Sequence, residues 1–391
     1  MAGNRWLVTT TILALILSLP ALVHATSWNS PIQLTSGSIT HVQPKISLDD
    51  TRIVFVANPL PFRTWQIFVI NSNGDGLKQV TNNTGSNLVP SINGNGTLIV
   101  FYSNLAGAYQ IYKVNSDGTG LTPLTSTAAN IVNSYPVISS DGSRIVFLSN
   151  RTGVIELYSI LTSGSGLTQL TTDNAIHEHA SITSDGKMVA FDSNATSAGN
   201  REVFLVNSNG TGLHQLTFNS GDDYAPVISG NGKYVAFQSN STGHYEIWLI
   251  GTNGSGLRQL TFDMVDDQLP SINYDGSTIA YQTTINGYSQ IMVTTAGTGE
   301  IDQLTNNQDN NFSPSLDGTG THVAFQGNVA GFTQIFIAIQ APQTVGGTTV
   351  PVDKPELVVP FMIAAIAVVV GTALYVRGGK KASIPHPPMP A

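Results

Sequence analysis

Polar side chains that could take part in chemistry recur once in each of seven similar stretches of the sequence. Each stands three residues before a proline, or in one copy before Ala180, and they are His41, Asn87, Asn133, His177, Asp223, Asp267 and Asn311. One interpretation is a set of caps that satisfy backbone N–H groups where a strand begins. Seven-fold recurrence favours this interpretation.

The residues around these positions are distributed unevenly, and this asymmetry favours a binding site. Two copies have doubled acids, one has a His-Glu-His run, and the earlier copies have Asn and neutral residues. Tyr224 adds an aromatic ring of the kind that stacks on a sugar or a peptide. The predicted ligand- or cation-binding residues are therefore His177, Glu178, His179, Asp222, Asp223, Tyr224, Asp266 and Asp267.

A cation is one ligand that this acidic sector would suit. Asp223 and Asp267 occupy equivalent positions in adjacent copies, with another aspartate before each. Crowded carboxylates repel one another, and Ca²⁺ relieves the repulsion while accepting the oxygen ligands that it prefers. We predict Asp223 and Asp267 as the metal ligands, and no other cofactor. Hydrogen-bonding caps alone are the alternative.

The sequence contains none of the common catalytic motifs, and no catalytic residue is predicted. There is no Gly-x-Ser-x-Gly, no His-Glu-x-x-His and no glycine-rich phosphate loop that opens a helix. A metal-assisted polysaccharide lyase or hydrolase that uses His177, His179 and the aspartate pairs is the alternative function. None of the seven recurrent positions has a basic residue placed to neutralise a uronate, which counts against this alternative.

The elements that must position these residues are short strands in a fixed repeat. Aligned Gln-Leu-Thr-type endings start at intervals of 44 or 46 residues, at Gln33, Gln79, Pro123, Gln169, Gln215, Gln259 and Gln303. Each copy contains four extended runs joined by turns such as Asn231-Gly232. A period of this length built from strands predicts an all-β fold, a β-propeller of four-stranded blades.

The blade count follows from the two ends of the repeat. The last copy, from Pro314 to Ile339, has no fourth strand of its own, whereas residues 32–35 precede the first copy. We expect the N-terminal strand to complete the last blade and so remove an exposed sheet edge. The sequence therefore predicts a seven-bladed propeller over residues 26–340. The seven recurrent polar residues would lie on the connections between blades, at the mouth of the central channel.

The segments outside the propeller predict export and anchoring. Residues 1–25 have a positive start, an apolar centre and a small-residue cleavage site, as secretory signals do. A linker over 341–356, without a strand pattern, leads to an uncharged stretch, 357–376, of the length of a transmembrane helix. Basic residues follow it and predict a cytoplasmic tail over 377–391, with the propeller outside a membrane that we expect to be prokaryotic.

Charge and cysteine content narrow the partners. The net charge of −8 becomes −12 once Arg5, Arg377, Lys380 and Lys381 are assigned to the signal and the tail. So acidic an outer part argues against nucleic acid as a ligand. The chain has no cysteine, which excludes disulfides and thiolate metal sites. We predict a monomer that binds a protein, peptide or glycan on its loop face.

Two copies resemble a known repeat. Residues 136–147 read PVISSDGSRIVF and residues 182–191 read ITSDGKMVAF, and both resemble the TolB-like, WD-like propeller repeat. The strand that follows in this family occurs here as Gln110-Ile111-Tyr112, Glu202-Val203-Phe204 and Gln334-Ile335-Phe336. The resemblance covers about residues 32–340. It implies a rigid binding platform, so the predicted function is a surface-anchored binding or scaffold protein.

Overall fold

The structure, a computed structural model, describes residues 28–59, 64–125, 130–196 and 199–342, with two short strands beyond them. Trp28–Gln340 is the larger of the two units into which the chain divides. The predicted signal, transmembrane segment and tail lie outside the described residues. Within the described part of the chain, no helix is long and apolar enough to cross a membrane.

The larger unit is built from 28 strands in chain order. The first half are β1 (Ile32–Gln33), β2 (His41–Ile46), β3 (Arg52–Ala57), β4 (Gln66–Asn71), β5 (Lys78–Gln79), β6 (Asn87–Ile92), β7 (Leu98–Ser103), β8 (Gln110–Asn115), β9 (Thr122–Pro123), β10 (Asn133–Ile138), β11 (Arg144–Ser149), β12 (Glu156–Leu161), β13 (Thr168–Gln169) and β14 (His177–Ile182). The second half are β15 (Met188–Ser193), β16 (Glu202–Asn207), β17 (His214–Gln215), β18 (Asp223–Ile228), β19 (Tyr234–Ser239), β20 (Glu246–Gly251), β21 (Arg258–Gln259), β22 (Gln268–Ile272), β23 (Thr278–Ile285), β24 (Tyr288–Thr295), β25 (Ile301–Gln303), β26 (Asn311–Leu316), β27 (His322–Val329) and β28 (Phe332–Ile339).

These strands form seven antiparallel four-stranded sheets, which are the blades. Blade 1 is β2-β3-β4-β5, and each of the next five blades takes the following four strands in the same order. Blade 7 is β26-β27-β28 completed by β1, with Ile32 paired to Ile337 and Gln33 to Phe336. The predicted seven-bladed propeller with a one-plus-three closing blade is confirmed.

The core lies between blades rather than within them. The second strands are apolar on both faces, so both faces must be covered. Seven clusters of buried side chains provide the cover, and each draws its residues from two adjacent blades. One buried aromatic occupies the same place in every second strand: Phe55, Phe101, Phe147, Phe191, Phe237, Tyr281 and Phe325.

The closing strand is attached by more than its two paired residues. The Leu34 N–H donates to the Ile335 carbonyl at 2.8 Å. The buried Thr35 hydroxyl donates to Gln334 Oε1 at 2.9 Å, and Trp28 bridges to Gln340. These contacts hold the start of the chain against blade 7, so the ring is closed by non-covalent contacts alone.

The linker contains an element that sequence reasoning missed. Thr344–Val345 and Thr348–Thr349 form a two-stranded antiparallel pair, β29-β30. Two glycines stand between them in the sequence, and Gly-Gly suits a two-residue hairpin connection. The linker was expected to lack a strand pattern, and that expectation was wrong.

Deletion of Pro31–Thr35 from the full-length chain tests the closure. The deletion removes β1 and the Thr35–Gln334 bond, and it exposes the edge of β28. We expect a lower melting temperature and concentration-dependent aggregation, measured by calorimetry and light scattering. A deletion variant that melts like the intact chain would contradict this account of ring closure.

Candidate functional site

The seven recurrent polar residues lie inside the propeller, not on the surface of the channel mouth. Each begins or immediately precedes the first strand of its blade and is at most 3 % exposed. Each approaches a Gln or Glu that begins the third strand of the preceding blade and a threonine that follows that blade's fourth strand. We call these seven groups the junction clusters. Their residues are therefore buried parts of the blade junctions.

Four junction clusters pair neutral side chains. At the first blade junction, Asn87 Nδ2 and the Thr81 hydroxyl both donate to Gln66 Oε1, at 3.0 and 2.9 Å. Gln110 receives Asn133 Nδ2 in the same way at 2.8 Å. Gln290 with Asn311, and Gln334 with His41, complete the neutral set. An amide pair satisfies buried donors and acceptors without burying charge.

The other three clusters have a glutamate in place of the glutamine. Glu156, Glu202 and Glu246 are each at most 2 % exposed, and they face His177, Asp223 and Asp267 respectively. His177 Nε2 lies 3.3 Å from Glu156 and 2.8 Å from Asp173. His177 is thus held between two carboxylates in the interior and is not available to a surface ligand.

Asp223 carries a buried carboxyl group that is only partly satisfied. Its Oδ2 accepts a hydrogen bond from Asn219 Nδ2 at 2.8 Å, whereas Oδ1 has no partner among the described residues. Burial raises the pKa of Asp223 to about 7, nearby donors oppose this rise, and the charge of Glu202 adds to it. Asn200 Nδ2 donates to Glu202 at 2.9 Å and supplies part of the missing compensation.

Asp267 is more isolated than Asp223. It is fully buried, and neither of its carboxylate oxygens accepts a hydrogen bond within the described residues. Burial raises the pKa of Asp267 to about 7; the hydroxyls of Thr283 and Thr261 favour the carboxylate only in part. Asp267 groups with Glu246 and Asp263, and Asp223 is not part of that group. The expected Asp223–Asp267 metal pair is therefore not found, because each aspartate is enclosed in its own junction.

The first aspartate of each doubled pair has a structural role that sequence reasoning missed. Asp222 Oδ1 accepts a hydrogen bond from the Arg201 N–H, and Asp266 Oδ1 accepts one from the Tyr245 N–H, both at 2.9 Å. Asn310 does the same for Ser289 in the next blade. The doubled acids thus hold the connection between second and third strands, a task that an asparagine also performs.

A second group of predicted residues does reach the surface, together with two residues that were not predicted. His179 Nδ1 lies 3.0 Å from Asp192 Oδ1, and Arg201 Nη1 lies 2.6 Å from Asp192 Oδ2. Arg201 Nη2 also pairs with Glu178 at 3.1 Å. Asp192 is buried, whereas the His179 and Glu178 side chains are about half exposed. Asp192 is therefore the anchor of this ion network.

Aromatic rings extend the network across the next blade. The Arg201 guanidinium lies over the Tyr224 ring, 4.9 Å from its centroid. Tyr224 meets the ring of His179 at 6.4 Å and that of Tyr245 at 5.9 Å, both edge-on. We call the group of Glu178, His179, Arg201, Tyr224 and Tyr245 the Tyr224 surface. A guanidinium placed over an aromatic ring is worth about 0.5–2 kcal/mol and restrains both side chains.

The Tyr224 surface lies on the loop face, the side of the propeller on which first strands begin. The connections that lead to first strands on this side also carry exposed apolar residues: Phe218 is 76 % exposed, Phe262 74 % and Met264 85 %. Exposed apolar side chains that lie beside charged and aromatic groups suit an interaction surface. The loop face of blades 4 to 6 therefore combines charge, aromatic rings and unpacked apolar side chains.

The backbone at His179 differs from its equivalents. Every first strand has a bulge, a break in register after its second or first paired residue. In the other six blades the residue at this place is not glycine and has a φ of 47° to 59°: Gln43, Val89, Tyr135, Ala225, Leu269 and Ser313. Such bulges redirect a side chain at some conformational cost. The φ of His179 is not positive, so the backbone of this strand has a different conformation where His179 pairs with Asp192.

Arg201 and Asp192 could have been found from the sequence. Asp192 directly follows the buried Phe191, at a place where three of the other six blades have an apolar or aromatic residue and three have glutamine. A buried acid at such a place needs a cationic partner, and Arg201 stands directly before the next strand.

Comparison with known proteins agrees with this architecture. Residues 125–287 match the family described as the TolB β-propeller domain. The chain carries TolB-like β-propeller repeats. No curated protein sequence matches the chain. The predicted repeat family is confirmed for residues 125–287, and the propeller can be compared with solved structures of the same fold.

Those solved structures include TolB and enzymes. An oligogalacturonate lyase in complex with manganese has a TM-score of 0.65 at 15 % identity, over 81 % of this chain and 96 % of that one. TolB from Acinetobacter baumannii has a TM-score of 0.52 at 20 % identity, over 67 % and 65 %. A Mycobacterium tuberculosis puromycin-hydrolyzing peptidase has a TM-score of 0.62 at 14 % identity, over 84 % and 55 %. Likeness at these identities shows the fold and not the activity.

The raised pKa of Asp223 generates a pH prediction. Its unfolded value is 3.8 and its folded value about 7, so the folded state retains a proton that the unfolded state has released between these values. Stability should therefore fall as pH rises from about 4 to 7 and then level off. Asp223→Asn, which installs the residue found at three equivalent positions, should remove this loss. We expect the variant to gain about 1–4 kcal/mol at pH 8.

Calorimetry of the full-length chain between pH 4 and pH 8 measures the effect. The gain in melting temperature should shrink as the pH approaches 4. Exposed Asp309→Asn is the matched control and should leave the pH profile unchanged. An Asp223→Asn chain that is less stable than the native chain at pH 8 would show that the carboxylate is stabilised in the folded state.

Proposed function

We propose that this TolB-like propeller is a binding or scaffold module that takes a protein, peptide or glycan at the Tyr224 surface. The observation that carries the proposal is the arrangement of Arg201, which is stacked on Tyr224 and tied to Glu178 and the buried Asp192. This arrangement presents a rigid aromatic face with hydrogen-bonding groups at its edge. Rigid aromatic and arginine anchors supply most of the binding energy at protein interfaces.

The chemistry of the surface defines the ligand groups that fit it. Tyr224 and Tyr245 offer ring faces and edges to aliphatic or sugar C–H groups. The Glu178 carboxylate is half exposed and accepts hydrogen bonds or pairs with a cationic group. The Asp192 hydrogen bond raises the pKa of His179, so this imidazole is more readily cationic than a free one. The net negative charge of the chain makes nucleic acid an unfavourable partner.

The second candidate function is a metal-assisted polysaccharide lyase or hydrolase. The likeness in fold to an oligogalacturonate lyase favours this second function. Arg201 provides, beside Glu178, a basic residue of the kind that the seven recurrent positions lack. Two features count against it: Arg201 is already paired with two carboxylates, and His177 is buried in a separate cluster from His179. Cleavage of a uronate polysaccharide that is lost in His179→Ala and with chelator would favour the enzyme.

We further propose that the chain is exported and anchored, as a monomer, with the propeller outside the cell. The support is the apolar stretch 357–376, followed by Arg377, Lys380 and Lys381. An anchored module places the loop face where it can meet ligands at the cell surface. The residues that carry this part of the proposal are sequence features only.

Binding at the Tyr224 surface can be tested with two substitutions. Tyr224→Ala removes the ring under Arg201, and Tyr245→Ala removes its edge-on neighbour. We expect each to weaken capture of ligand from detergent-solubilised envelope and glycan arrays by about 10-fold or more, because anchors of this kind contribute 2 kcal/mol or more. Melting temperatures should change little, since both rings are partly exposed.

Tyr274→Ala is the matched control for this experiment. Tyr274 is 45 % exposed and belongs to the turn between β22 and β23, at the opposite end of the first strand from the loop face. Its substitution should leave capture intact. Equal loss of ligand in Tyr274→Ala and Tyr224→Ala would contradict binding at the Tyr224 surface.

The topology can be tested by protease treatment of whole cells. We expect the protease to remove the propeller and to spare an epitope placed after Ala391. A chain shortened to Glu356 should be released into the medium, because it lacks the apolar stretch. Protection of the propeller in intact cells would overturn the proposed orientation.

A further inference from the structure

Four groups of His, Asp and Glu side chains in the described part of the chain bring three ligand atoms within 4.8 Å of one another. Three of the groups contain a histidine: His322, His177 and His179. The fourth, Glu246 with Asp263 and Asp267, has only carboxylates. No lysine, arginine or histidine among the described residues lies within ion-pair distance of these three carboxylates. This group therefore has no nitrogen-bearing side chain in the place where its counterparts have a histidine.

One of the two buried carboxylates of the group, that of Asp267, also lacks hydrogen bonds. Asp267 is fully buried, Glu246 is 2 % exposed, and Asp263 is exposed at the surface. Glu246 Oε2 accepts the Thr261 hydroxyl at 2.6 Å, and Asp263 Oδ1 accepts the Val265 N–H at 2.9 Å. Neither oxygen of Asp267 accepts a hydrogen bond within the described residues, and the hydroxyls of Thr283 and Thr261 offset its burial only in part. An unpaired buried carboxylate is costly unless a ligand satisfies it.

The other junction clusters show what occupies this place when it is filled. Gln66 Nε2 donates to the carbonyls of Asn83 and Gly85, both at 3.0 Å. Gln290 Nε2 donates to the carbonyls of Asn307 and Asp309 at 3.0 and 3.1 Å. In each case the positive end of an amide is received by two backbone oxygens of the connection that leads to the next blade.

The junction before that of Asp267 has Glu202 in place of this glutamine, and a glutamate has no amide to donate. At the Glu202 junction the side chain of Asn200 takes the role, with its Nδ2 at 3.0 and 2.7 Å from the carbonyls of Asn219 and Gly221. The repeat places His244 where Asn200 stands, and it places the carbonyls of Asp263 and Val265 where those of Asn219 and Gly221 stand. Among the described residues, no hydrogen bond reaches either of these two carbonyls.

We propose that Glu246, Asp263 and Asp267 bind a divalent cation, with Ca²⁺ as the best match, at the place that an amide nitrogen fills in the Gln66, Gln290 and Glu202 junctions. Three carboxylates and the carbonyls of Asp263 and Val265 provide an all-oxygen ligand set of the kind Ca²⁺ takes. The exposed Asp263 gives the ion a path from solvent. The site joins blades 5 and 6, so the bound ion stabilises the ring at that junction.

The experiment measures the melting temperature of the full-length chain in 1 mM Ca²⁺ and in chelator, with equilibrium Ca²⁺ binding alongside. Ca²⁺ should raise the melting temperature by at least about 2 °C by mass action on the folded state. One ion should bind per chain at this junction. Asp263→Asn, which alters only the exposed ligand, should weaken Ca²⁺ binding by about 10-fold or more while the chain stays folded.

A double substitution keeps the test independent of folding. Glu246→Gln with Asp267→Asn recreates the Gln-Asn pair that three other junctions already contain. This chain should fold and should melt at the same temperature with and without Ca²⁺. Asp223→Asn is the control and should keep the Ca²⁺ response. A native chain that is indifferent to Ca²⁺, or a double variant that still responds, would overturn the site.

Discussion

The packing of each blade between its two neighbours is the constraint on which the rest of the structure depends. A buried aromatic in every second strand lies in a cluster shared with the adjacent blade, so no blade completes a core alone. Loss of one such ring would cost about 3–5 kcal/mol and affect two blades. The ring of blades must therefore close. The contacts of Leu34 and Thr35 with blade 7 hold it closed, whereas the polypeptide chain itself connects the other pairs of neighbouring blades.

The repeat made the fold predictable because a period of strands and turns determines blade number, strand order and closure. It also aligned the seven polar residues that begin the blades, since these share one sequence position. Their surroundings were not predictable in the same way. Gln66 and Asn87 are 21 residues apart and meet only when two blades pack, so the partner was not visible in either strand. The residues were for this reason placed at the channel mouth, whereas the structure buries them.

The residues of the Tyr224 surface were also predictable only in part. His179 and Tyr224 attracted attention as a histidine and an aromatic ring, but Asp192 and Arg201, which fix their positions, were not singled out, because Asp192 lies within a blade strand and Arg201 in the connection before the next one. The doubled acids were misleading, because Asp222 and Asp266 hold backbone N–H groups of neighbouring loops. Which polar residue serves the backbone and which faces a ligand depends on side-chain direction at a bulge, and the repeat pattern alone does not contain that information.

The three acidic junctions are consecutive, and this gives the asymmetry a physical meaning. A neutral amide pair is an available solution, since the remaining four junctions use glutamine with asparagine or histidine. Glutamate at this place buries charge and must be compensated. His177 compensates Glu156, and Asn200 with Asn219 compensates Glu202 and Asp223. Glu246 and Asp267 have no such group, so the same rule that explains the first two junctions requires a bound positive charge, or a retained proton, at the third.

The blades joined by these junctions also form the Tyr224 surface and carry the exposed Phe218 and Phe262. Departures from a repeat that cost stability persist at sites with a function, which connects the acidic junctions with the loop face beside them.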